Sequence, residues 1–139
     1  MNSLVITYPS IAMFALTMAC IFSLGWARYR AIHHGDVRIS FFRTYNEGSQ
    51  PERLHLLARH IQNHFEVPPL FHLGVILSYI ADTVSLFAVI FAWTFVALRC
   101  VHSAIHLGSN DVSKRFFTFG ASLLALLGLW ASTFVALMA

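Results

Sequence analysis

"RHIQNHFEVPPLF", Arg59–Phe71, decides how this chain is read. Arg59, Asn63 and Glu66 fall at i, i+4 and i+7, one face of a helix. A double proline and a long apolar run follow at once. The stretch therefore joins a polar helix to an oily one. Its surroundings are oily too: the 139 residues are 58% hydrophobic and 11% charged, with a mean hydropathy of +0.68. A soluble domain carries about 25% charged residues. This composition excludes an ordinary soluble protein.

Leu4–Ala27 and Phe116–Ala139 contain no charged residue. Each is about 36 Å long as a helix, against a hydrocarbon core of about 30 Å. Val67–Leu98 is uncharged apart from Asp82 and is too long for one span. It divides into two. The expected fold is all-α: a single domain, 1–139, forming a four-helix transmembrane bundle. Its spans cover approximately 8–33, 52–81, 82–107 and 111–138. Pro68 and Pro69 should kink or loosen the second span where it enters the membrane. The first run is not a cleavable signal, because it lacks a basic start, is too long and closes on no small-x-small site. Cys20 and Cys100 both lie inside expected spans, so no disulfide framework is implied.

The cations are placed unevenly. Arg28, Arg30, Arg38, Arg43, Arg53 and Arg59 cluster between the first two spans, and Lys114 and Arg115 lie between the last two. The positive-inside rule puts both basic loops in the cytoplasm and the two termini on the opposite side. "TYNEGSQPE", Thr44–Glu52, is the one polar, breaker-rich loop. Cations at membrane-loop positions, with no accompanying binding motif, give no support to a nucleic-acid partner.

Four constellations could carry chemistry. Arg59, Asn63 and Glu66 would by themselves be a snorkelling helix end. Glu66, however, abuts the apolar segment, where an unpaired carboxylate is costly. "RCVHSAIH" supplies Arg99, His102 and His106 on one face, deep in the third span. Arg99 is the expected partner of Glu66, and a purely structural buried pair is as good an explanation as a ligand site. Lys114 is explained by topology. Arg115, at the start of the fourth span, could join free helix-start N–H groups in an anion site that holds a thiolate. Among the eight histidines, His60/His64 and His102/His106 are spaced i, i+4, as metal or haem ligands can be. No His-Glu-x-x-His signature is present, and His60 and His64 point away from the face of Arg59, Asn63 and Glu66. No metal is expected.

These residues resemble the MAPEG family, the membrane-associated proteins in eicosanoid and glutathione metabolism. "RHIQNHFEVPPLF" is similar to that family's Arg-x-x-x-Asn-x-x-Glu motif in helix 2, and "RCVHSAIH" to its helix-3 motif. Arg99 and His102 match the microsomal prostaglandin E synthase and glutathione transferase branch most closely. Arg115 falls at the family's helix-4 arginine, and "GDVRIS" resembles the segment that assigns Arg38. The resemblance covers essentially the whole chain. It implies a homotrimer with glutathione bound between subunits near the cytoplasmic side. Arg38, Arg59, Asn63, Glu66, Arg99, His102 and His106 would line that site, and Arg115 would stabilise the thiolate. A lipophilic co-substrate would arrive from the bilayer lipid. The chain departs from the family at His106, usually tyrosine, and at Phe116, a serine in the prostaglandin branch. The function implied is thiol activation for conjugation, peroxide reduction or isomerisation. The competing reading is a non-catalytic bundle whose ion-pair network binds lipid or a partner protein.

Overall fold

A computed structural model describes residues 2–45 and 49–139. The middle of the expected polar loop, 46–48, lies outside them. Every regular element among the described residues is helical. A 3₁₀ turn, Ser3–Ile6, leads into α1, Thr7–His33. Gly35, at φ +78°, turns the chain in a left-handed conformation that a side chain would disfavour. The one-turn α2, Phe41–Thr44, follows. Next come α3, Glu52–Glu66, and α4, Pro68–Ile80. The chain closes with α5, Leu86–Leu107, and α6, Val112–Met138.

The single kinked helix expected over 52–81 is thus two helices, broken at Val67. Pro68 and Pro69 have no N–H to give to the carbonyls of His64 and Phe65, one turn back. The last bond of α3, from the Val67 N–H to the Asn63 carbonyl, is already stretched to 3.5 Å.

Among the described residues, the helices containing α1, α5 and α6 are long and apolar enough to cross a membrane. α4 has 13 residues, about 20 Å of helix. The main core joins all of these helices. Met13, Phe71, Ala92, Phe95 and Leu129 are fully buried in it, and the Phe71 and Phe95 rings stack at 4.5 Å. A smaller core at the basic end packs Val37 and Phe41 onto Leu24, Leu54 and Leu57. Outward-facing Phe14, Phe22, Phe87, Leu124 and Phe134 form the apolar exterior that lipid requires. At the opposite end the Ser3 hydroxyl donates to the Asp82 carboxylate at 2.6 Å, tying the N-terminal turn to the α4–α5 turn.

Candidate functional site

α3, α5 and α6 meet around a cleft of about 260 Å³. Arg59 and Asn63 come from α3, His102 and His106 from α5, and Arg115 from α6; Val112, Phe116 and Phe119 complete the wall. Each pair or single residue is delivered by helical periodicity, since residues three or four apart share a face. The structure therefore brings five of the expected site residues to one place.

The other three lie elsewhere. Arg38 is exposed in the connection between α1 and α2, beside a separate pocket with Asp36 and Ser40. Glu66 is exposed and accepts a bond from Gln62 Nε2 at 3.2 Å. Arg99 is completely buried beneath the cleft. The expected Glu66–Arg99 ion pair is not formed; the one salt bridge among the described residues joins Lys114 to Asp111. Gln62, one turn before Glu66, supplies a local donor. Arg99 Nη2 instead donates to the Asn63 carbonyl at 3.2 Å, the acceptor that the break at Val67 leaves weakly used. The Phe119 ring lies 5.8 Å from the guanidinium. Arg99 Nε and Nη1 are buried without a partner.

Arg115 is held in place by its neighbours. Its Nη1 donates to Asn110 Oδ1 at 2.8 Å and lies 3.5 Å from His106 Nδ1. Asn110 can turn this way because it adopts φ +50°, a left-handed conformation that Asn tolerates. His102 Nδ1 donates to the Arg115 carbonyl at 3.2 Å. In that neutral tautomer His102 Nε2 is a bare acceptor, and it too is buried without a partner. The helix-start half of the expected anion site is not met. Asp111 caps α6 by accepting the Lys114 N–H at 3.0 Å, so its own carboxylate occupies that position. Charge at this end of the cleft comes from the Arg115 guanidinium.

A larger groove of about 530 Å³ runs between α1 and α3 past Trp26 and Leu57, and it holds none of the expected site residues. Sequence spacing also missed a third group. Cys20 of α1 sits against His60 and His64 of α3, all buried, with their ligand atoms within 4.8 Å of one another. The i, i+4 histidine pair was visible in the sequence. Nothing local announced Cys20, which only packing brings to it.

The family model described as the MAPEG family matches residues 6–135. No curated protein and no solved structure matches the chain.

Proposed function

The chain belongs to the MAPEG family, and on that premise we propose that it is an integral membrane enzyme that activates glutathione, or a similar thiol, against a lipophilic substrate. Its motifs put it nearest the prostaglandin E synthase and glutathione transferase branch. The observation that carries this reading is the meeting of Arg59, Asn63, His102, His106 and Arg115 in one cleft. Glutathione carries two carboxylates, an ammonium and a thiol. Guanidinium groups hold carboxylates through charge-assisted, forked hydrogen bonds. Arg59 would take that role, with Asn63 and His106 adding polar contacts. Arg99, fully buried beneath the cleft, would add positive field without touching the peptide. Glu66, exposed outside the cleft, would receive the ammonium of a peptide that extends beyond it. Arg38, remote from the cleft within one chain, would complete it from a neighbouring copy in a homotrimer of four-span subunits.

Arg115 would lower the thiol's pKa by stabilising the thiolate, the form that attacks. The thiol S–H breaks and its proton leaves to solvent. The sulfur lone pair then forms an S–C bond to the electrophilic carbon as that carbon's π bond opens or its leaving group departs with the bonding pair, and solvent protonates the anion so formed. Val112, Phe116 and Phe119 line the same cleft and offer an apolar seat for a substrate entering from lipid. His102, fixed by the Arg115 carbonyl, positions the start of α6 against α5.

Isothermal calorimetry with glutathione on detergent-solubilised protein tests this. A saturable heat is expected. Arg115→Ala should remove the thiolate absorbance of the bound peptide and lower turnover of a model electrophile by roughly 10²-fold. A parent protein that gives no heat of binding overturns the reading.

A further inference from the structure

We propose that Cys20, His60 and His64 form a site for one soft monovalent metal ion, Cu(I), buried behind the cleft. The inference is independent of the glutathione reading.

The spacing of the donors motivates it. His60 Nε2 and His64 Nε2 are 3.2 Å apart, and Cys20 Sγ is 3.8 Å from His64 Nε2. Two imidazoles and a thiolate around one three-coordinate, trigonal ion stand about 3.5 Å (N···N) and about 3.7 Å (S···N) apart, given metal bonds near 2.0 and 2.3 Å. Two edges of the triangle already have ligand-like lengths, and the third lies within 4.8 Å.

A supporting contact orients the central ligand. Thr17 Oγ1 donates to the Met13 carbonyl at 3.0 Å, which commits its proton. It then accepts from His64 Nδ1 at 3.0 Å. His64 therefore carries its proton on Nδ1 and turns a bare Nε2 lone pair towards His60 and Cys20. Metal-binding histidines are commonly oriented by such a bond on the far nitrogen. With His64 Nε2 bare, His60 Nε2 is the donor in the 3.2 Å contact of the metal-free protein, and because His60 Nδ1 has no partner the ring proton is free to move there when Nε2 takes the ion.

Imidazole and thiolate donors suit Zn(II) and Cu(I) alike. Charge separates the two. Arg99 is fully buried and donates to the carbonyl of Asn63, the residue before His64, while Glu66 is exposed and bonded to Gln62 rather than to Arg99. A Zn(II)–thiolate unit would place a net positive charge beside that guanidinium, and a Cu(I)–thiolate unit would add none. Uncompensated buried charge is costly. On binding, the Cys20 S–H breaks, an S–Cu bond forms and the proton passes to buffer; no oxidation state changes. The cleft provides the entry path. The rings of His106 and His102, which line it, stand 5.1 and 6.1 Å from that of His60.

The test uses full-length Cys100→Ser protein, which removes the exposed thiol, in detergent, anaerobic and free of glutathione. It is titrated with Cu(I) against a chromogenic Cu(I) chelator, and separately with Zn(II). One Cu(I) per chain is expected, and X-ray absorption should show one sulfur and two nitrogen neighbours. Cys20→Ser and His64→Gln should each weaken binding at least about 100-fold with helicity retained. Thr17→Val, which touches no ligand atom, should weaken it roughly 10–100-fold. Failure to hold Cu(I) against the chelator overturns the proposal. So does a copper neighbour shell without sulfur, binding that survives Cys20→Ser, or a preference for Zn(II).

Discussion

At the scale of single residues, the double proline does more than bend a helix. It withdraws two N–H groups from the end of α3 and leaves the Asn63 carbonyl with one stretched partner. That carbonyl then holds Arg99, the buried cation of α5. A feature of one helix thereby fixes a side chain of another. Asp111 works the same way at the start of α6. The Lys114 N–H bonds to its carboxylate and holds its pKa below the usual carboxylate value. The bond favours the charged form, so the native state binds fewer protons here than the unfolded chain. Asp111 therefore contributes its stabilisation at neutral pH and loses it as the pH falls through the native pKa. In detergent, the melting temperature of the parent should fall more between about pH 4 and pH 2 than that of Asp111→Asn, which keeps the cap acceptor without the charge. Identical acid profiles for the two proteins would remove Asp111 from this role.

At the scale of elements, the most extensive packing lies between α5 and α6. A Cβ built on Gly128 would stand 2.6 Å from the Phe91 ring, whereas one on Gly120, two turns earlier on α6, would meet nothing within 4 Å. Gly128→Ala should destabilise the protein by about 1–3 kcal/mol through overpacking. Gly120→Ala should stabilise it by about 0.5–1 kcal/mol, because alanine loses less backbone entropy in a helix. Reversible unfolding in mixed micelles measures both, and equal effects would show that this contact is not tight. The same elements explain what the sequence could disclose. Arg59 with Asn63, and His102 with His106, were legible as shared faces because helical period is a local property. A disturbance of the helix at Pro68 and Pro69 was legible because proline's missing N–H is local too, although a division into two helices was not. The Glu66–Arg99 pairing was misjudged because it depends on which neighbour each group meets first: Gln62 reaches one and the Asn63 carbonyl the other. Cys20 was silent because its partners lie on another helix, and no periodicity links α1 to α3.

At the scale of the whole molecule, polarity runs along the long axis. The connection α1–α2–α3 and the turn before α6 carry the cations, and the cleft opens beside the latter. At the other end, the bond from Ser3 to Asp82 gathers the N-terminal turn and the α4–α5 turn, a region without Lys or Arg. Cationic loops resist translocation, so the cleft end should face the cytoplasm and the Ser3–Asp82 end the opposite compartment. A thiol substrate would then reach Arg115 from the cytoplasm, and an apolar one would reach Phe116 from lipid. Single cysteines placed at Thr83 and at Ser109 in a Cys100→Ser background test the orientation. Thr83 lies in the α4–α5 turn and Ser109 in the exposed turn before α6, while the native Cys20 is buried. In intact cells expressing the protein, a membrane-impermeant maleimide should label Thr83→Cys and spare Ser109→Cys. Permeabilised cells should label both. The reverse pattern in intact cells would turn the molecule over and separate the cleft from any cytoplasmic thiol.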